Sequence, residues 1–280
     1  MNIRHSTLRL LASGFLFAAV CKPIFASDLP CTPHAQISVS KINADVIAIG
    51  DFHGSNEIPA FVEGLVCQLA LSGKPVVLGL ELPMDLQAGI TQYTLSKGTP
   101  EDKKALLSAY FWHEKQDGRR SEAMFKLIDF VRRLRNEGKD VLISAFDSGK
   151  SDGLQALTKN ETRSQARRDS IMATNIYDRL KQYPAHTHIL FAGSGHTGKF
   201  KQQDWNPAVS SMAYLLAQRV SVYSIYFSFL KGGEIWGCRG PDIPCGRGPV
   251  SASTATTKEG FDLILPIEKL TASIPAKDAP

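Results

Sequence analysis

DVIAIGDFHG, residues 45–54, runs from an aspartate through five apolar or small residues to Asp51, Phe52 and His53. The apolar stretch has the length and β-branched content of a buried strand, and ionisable residues begin where it stops. Three further stretches repeat the form. PVVLGLE (75–81) ends in Glu81, DVLISAF (140–146) is followed by Asp147, and THILFAG (187–193) by Ser194, Gly195 and His196. Between them lie amphipathic segments. From Glu57 to Leu71 the residues Val62, Leu65, Val66 and Leu69 fall on one helical face, and from Ser121 to Asn136 the set is Met124, Leu127, Ile128, Val131 and Leu134. The second of these helices turns Arg132, Arg133 and Arg135 away from its apolar stripe, as a solvated basic face.

Glu101–Trp112 and Thr162–Gln182 also read as helices. Strand, crossover helix and strand in repetition predict an α/β fold, a mostly parallel sheet with helices on both faces. After Pro207 come one more helix and the stretches SVYSIYFSF (221–229), GEIWGC (233–238) and FDLILP (261–266). Their close spacing predicts a C-terminal antiparallel extension. Residues 241–260, rich in Gly, Pro, Ser and Thr, read as loop.

The first 26 residues carry Arg4 and Arg9 ahead of an apolar run from Leu10 to Val20 and small residues near Ala26, the layout of a secretory signal peptide. A lipid anchor at Cys21 is disfavoured by the bulky Val20 before it. No later stretch reaches the ~20 apolar residues of a membrane span. The expected mature chain, residues 27–280, is a single domain in the periplasm or outside the cell. The formal charge of +5 falls to near +2 without Arg4, Arg9 and Lys22, too little to argue for nucleic acid. Cys31, Cys67, Cys238 and Cys245 remain, an even number that in an exported chain predicts disulfides. Cys238 and Cys245 bracket a Gly- and Pro-rich loop, which leaves Cys31 for Cys67.

Each of the first four predicted strands thus ends in, or is followed by, ionisable side chains. In an open parallel sheet the carboxyl edge is where ligands bind, because the loops leaving it converge on a crevice. Asp51, His53, Glu81, Asp147 and His196 therefore form a candidate site, and Glu81, at the end of a strongly apolar strand, requires a partner. Two other readings of the same loops fail. GSGHTGKF (193–200) approaches the phosphate-binding G-x-x-x-x-G-K-[ST] pattern, but Phe200 replaces the hydroxyl that would hold magnesium. Ser194 lacks the flanking glycines of a nucleophile elbow; Ser55, read as a more accessible hydroxyl, has no Ser-His-acid arrangement around it.

Activated water remains, by either of two routes. A divalent ion on His53, His196 and the carboxylate of Glu81 would lower the pKa of bound water toward ~7. Alternatively Glu81 and a histidine act directly as general base, a contribution of about 100- to 10,000-fold. Arg119 and Arg120, in the polar stretch QDGRRSE (116–122), are candidates to clamp a substrate carboxylate or phosphate, and Lys199 to hold an anionic group.

GDFH (50–53) and GSGH (193–196) are both G-x-x-H, separated by the strand that ends in Glu81. This arrangement resembles the superfamily containing the Tiki and TraB proteins, the ChaN haem-binding lipoproteins and the erythromycin esterases. RDSIMATNI (168–176) is similar to the esterases' Arg-x-x-x-Met-Ala-x-Asn helix, with Arg168, Met172 and Asn175 on one face. The resemblance covers residues 45–200. It implies an α/β fold with His53, Glu81 and His196 central, Arg168 near them, and either a hydrolase of a small-molecule or peptide substrate or a binder of haem or metal. Two departures weigh against macrolide hydrolysis: Asp51 stands where many relatives carry Glu, and IPAFVEG (58–64) lacks the esterases' Arg.

Overall fold

The computed structural model describes residues 37, 39–114, 117–149, 161–203, 207–238 and 243–279. The signal peptide expected over residues 1–26, Cys21 and Cys31 lie outside them. In chain order the elements are β1 (Val46–Asp51), α1 (Glu57–Leu71), β2 (Val76–Pro83), α2 (Gln87–Thr94), α3 (Pro100–Leu107), α4 (Glu122–Asn136), β3 (Val141–Asp147), α5 (Glu161–Gln182), β4 (Thr187–Gly193), α6 (Ser194–Thr197), α7 (Met212–Ala217), β5 (Val222–Phe229), β6 (Gly233–Gly237), β7 (Gly246–Val250) and β8 (Leu263–Ile267).

Six strands form one sheet in the order β3-β2-β4-β1-β5-β8, and every pairing in it is parallel. The four strands read most plainly from sequence are neighbours, so their carboxyl ends stand side by side. β1 and β2 are buried along their whole length because helices cover both faces. On one face Ile47, Ile49, Leu78 and Leu80 meet α1, α2 and α4 in the larger core; on the other Val46, Ala48, Leu190 and Phe146 meet Met172 and Ile176 of α5 and Leu216 of α7. α4 shows why the pattern folds this way. Ser121 caps it by accepting from the Met124 N–H at 3.3 Å, and Leu127, Ile128, Val131 and Leu134 are fully buried. Each such side chain stabilises the fold by about 1.5–3 kcal/mol.

Three expectations need correction. β5 and β8 are not an antiparallel edge: β5 runs parallel to β1 and β8 parallel to β5, extending the main sheet. Among the strands of the described residues only β6 and β7 pair antiparallel, apart from that sheet, and β7 lies within the stretch read as loop. The helix read over Glu101–Trp112 ends at Leu107, followed by a separate 3-10 turn at Tyr110–Trp112 that buries Phe111 and Trp112. Cys238 and Cys245 are bonded as expected, at the end of the β6–β7 hairpin; Cys67 is also disulfide-bonded. Among the described residues no helix is long and apolar enough to cross a membrane.

Candidate active site

Strand order puts the predicted residues in a row across the rim: Asp147 from β3, Glu81 from β2, His196 beyond β4, and Asp51 and His53 from β1. The register of β2 against β3 slips between Leu80 and Pro83, a bulge at Glu81 of the kind that re-aims a side chain beside a site. Glu81, 2% exposed, thereby becomes the centre. Its Oε2 accepts the Gly193 N–H at 2.7 Å and lies 3.2 Å from His53 Nε2; its Oε1 meets Arg168 Nη2 at 2.5 Å and Arg119 Nη1 at 3.2 Å. His196 Nε2 is 3.8 Å from Oε1.

Burial alone would raise the Glu81 pKa, but the charges of His53 and Arg168 overcome it and hold the carboxyl well below its usual range. Glu81 is therefore a fixed anion, an anchor for cations rather than a carrier of protons. The opposite holds for His53. Burial would lower its pKa, yet Glu81 on Nε2 and Asp51, whose Oδ2 is 2.8 Å from Nδ1, raise it to about 10. Both ring nitrogens then donate, and His53 is an imidazolium at neutral pH. Asp51 itself is pushed up by burial, against the pull of His53.

His196 has another environment. Its Nε2 lies 3.0 Å from Arg168 Nη1, and a guanidinium can only donate, so this nitrogen accepts. The proton is on Nδ1, given to Asp169 Oδ1 at 2.8 Å. Asp169 is wholly buried and also accepts from the Met212 N–H at 2.8 Å and Gln165 at 2.7 Å. An acid holding Nδ1–H so that Nε2 keeps its lone pair is the arrangement that prepares a histidine for proton abstraction.

Asp169 escaped the sequence reading, although a signal existed. Met172, Ala173 and Ile176 stand three, four and seven residues on, all buried, so Asp169 occupies the apolar stripe of α5, where a carboxylate needs a partner. Arg168, Met172 and Asn175 do share a face, over β3: Arg168 donates through Nε to Asp147 at 2.8 Å and Asn175 to the Phe146 carbonyl at 3.0 Å. Asp147 also accepts from Arg119 at 3.1 Å. Asp117, likewise unforeseen, caps the 3-10 turn at Gly118–Arg120 and pairs with Arg119 at 2.9 Å. Burial would raise its pKa, but Arg119 and then Arg120 bring it down to about 2. Gly118 allows this turn to lie against the first histidine, since a Cβ there would stand 2.2 Å from the His53 carbonyl carbon.

Three expected residues lie elsewhere. Arg120 points inward, donating to the Phe111 carbonyl, stacked 4.1 Å over the Phe111 ring and paired with Asp117 at 2.8 Å. Lys199 lies 2.7 Å from both oxygens of Asp262, which also accepts from the Ser224 N–H; it ties β5 to the chain before β8 and holds no group at the rim. Ser55 is fully buried, not accessible.

The metal reading does not fit this donor set. Both oxygens of Glu81 and Nε2 of His196 face N–H donors, two of them permanent cations that would repel a divalent ion. Among the described residues no group of three or more His, Cys, Asp or Glu is disposed to hold a metal. Haem does not fit either, because an axial imidazole needs an uncommitted nitrogen lone pair, and Glu81 and Arg168 occupy both outer nitrogens.

No family model matches the chain, and no curated protein matches it in sequence. Solved structures do. An erythromycin esterase mutant in its open conformation superposes with a TM-score of 0.54 at 13% identity, over 75% of this chain and 76% of its own. The chain shares the erythromycin esterase fold. A Bacillus cereus protein has the same fold at a TM-score of 0.56 and 13% identity, over 83% of this chain and 90% of its own. A succinoglycan biosynthesis protein follows at 0.60 and 10%, over 83% and 89%. At such identities the likeness establishes architecture, and function has to be argued from the site.

Proposed function

We propose that the protein is an exported hydrolase that cleaves an ester, lactone or amide bond of a small-molecule or peptide substrate by attack of water. The observation that carries this reading is the contrast in partners of two imidazoles beside one ionised carboxylate: His53 between two carboxylates, His196 between Asp169 and Arg168. His196, oriented by Asp169 with its Nε2 lone pair outward, takes a proton from water once that nitrogen exchanges Arg168 for the water molecule. The hydroxide adds to the carbonyl carbon, and Arg119 and Arg168 face the oxyanion that forms. The bond to the leaving group breaks as His53 turns its Nε2–H from Glu81 to the leaving group and supplies that proton to it. The proton gained by His196 and the one lost by His53 are then exchanged with solvent, so the net change is hydrolysis.

A cavity of about 340 Å³ beside the arginines, lined by Pro83, Tyr110, Phe111, Arg119, Asp147 and Arg168, offers space for an acyl or alcohol portion. Export is supported by the disulfide chemistry of Cys67, Cys238 and Cys245. The test is a panel of chromogenic esters, lactones and acyl amides offered to the purified mature chain. Turnover by the wild type that disappears in His196→Asn, with thermal unfolding still cooperative, is the expected result. Equal rates in the two proteins for every substrate would refute the assignment.

A further inference from the structure

Among the described residues β3 is an edge strand, paired only with β2. A cavity of about 300 Å³ opens beside it, away from the rim, lined among others by Thr91 of α2, Arg135 of α4, Ser144 of β3 and Arg179 of α5. No carboxylate lines it. Arg119, Arg120, Arg132, Arg133 and Arg168 each lie within 4 Å of an Asp or Glu, whereas among the described residues Arg135 and Arg179 meet none; the others without such a partner, Arg167 and Arg219, are exposed. Two half-buried cations that share a cavity repel each other unless an anion stands between them.

The hydrogen bonding around the cavity leaves donors over. Arg135 Nη1 donates to the Val141 carbonyl at 2.9 Å, but its buried Nε–H has no acceptor. Arg179 Nε donates to Ser144 Oγ at 3.1 Å, so the Ser144 hydroxyl, itself nine-tenths buried, keeps its own hydrogen to give. Gln87 is fixed in orientation: its carbonyl accepts the Ala145 N–H at 2.8 Å and its amide donates to the Ile143 carbonyl at 3.0 Å. That amide also donates to Thr91 Oγ1 at 3.1 Å, which leaves the Thr91 hydrogen free as well. Two guanidiniums and two hydroxyls thus present N–H and O–H groups to one space, and a group that only accepts satisfies them.

We propose that this cavity is a second site, for a phosphate- or sulfate-type oxyanion, held by Arg135 and Arg179 with Ser144 and Thr91. The oxyanion is either a free ion or the terminal group of a larger solute. Calorimetric titration of the mature chain with inorganic phosphate and, separately, with glycerol 3-phosphate distinguishes the two sources. Saturable binding of inorganic phosphate supports the free ion; binding of glycerol 3-phosphate alone supports the attached group. In either case Arg135→Gln and Arg179→Gln are expected to weaken binding at least about tenfold. Ser144→Ala, which keeps both arginines and the fold, weakens it by about threefold. Binding that is unchanged in all three variants places the anion at the rim arginines and overturns the proposal. So does a wild-type chain that takes up neither probe at millimolar concentration.

Discussion

His53 and His196 leave the adjacent strands β1 and β4 from turns of the same G-x-x-H form, yet their rings meet opposite surroundings. His53 lies between two carboxylates, Asp51 and Glu81, and is held charged. His196 lies between one carboxylate, Asp169, at Nδ1 and one guanidinium, Arg168, at Nε2. Turns of one G-x-x-H form therefore give their histidines different partners. The difference comes from which helix or strand supplies the second partner: β2 for the first ring, α5 for the second. In the proposed mechanism this difference lets one pocket give and take protons at the same pH.

The sharpest way to break the comparison is to remove the group both rings border. Glu81→Gln leaves Arg119, Arg168 and His53 without their shared anion, and is expected to abolish turnover and to cost about 3–5 kcal/mol of stability, read by urea unfolding. Next is the base itself. His196→Asn is expected to lower kcat by about 100- to 10,000-fold.

Asp169→Asn sharpens the same point, because an amide that donates to Nδ1 moves the ring proton to Nε2. The loss approaches about 10,000-fold in kcat with KM little changed. If the pH–rate profile of that variant kept the wild-type shape and height, Asp169 would be only a packing residue.

A smaller effect separates the first turn from the second. The His53 pKa is about 10 in the folded chain and near 6.5 unfolded, so its contribution to stability is complete below pH 6.5. It fades from there to pH 10 and is gone above. Unfolding measured from pH 6 to 10.5 should therefore show a decline in stability in the wild type that is diminished in His53→Asn. Equal slopes in the two proteins would mean that His53 is neutral, and the contrast with His196 would disappear. The smallest effect belongs to Lys199→Met. It removes a half-exposed ion pair with Asp262, for a change of about 1 kcal/mol or less and no change in turnover. A fall in kcat there would return Lys199 to the site.

Much of this arrangement was legible beforehand, and particular residues show why. The strands that end in Asp51, Glu81, Asp147 and Gly193 announce themselves because burial on both faces demands continuous apolar runs, and polar residues resume only where the sheet ends. α1 and α4 are legible because one solvated face imposes a 3.6-residue period. The parallel addition of β5 and β8 was not, since a short connection between strands reads as a hairpin until the intervening β6–β7 ribbon is seen to stand outside the sheet. Asp169 was hidden by its neighbour: Arg168 drew the reading, while the carboxylate beside it, on the apolar stripe, makes the contact that orients His196.

The sequence alone determined that ionisable groups would gather at one edge of a parallel sheet, because periodicity and strand termini are local properties of the chain. Tertiary structure decided what those groups are. Whether an imidazole is charged, whether a carboxylate anchors or titrates, and whether arginines rather than a metal ion fill the space between donors all depend on charges brought within a few ångströms by segments far apart in the chain, 112 residues in the case of Glu81 and Gly193. Electrostatic interaction follows distance in space, which the order of residues along the chain does not record.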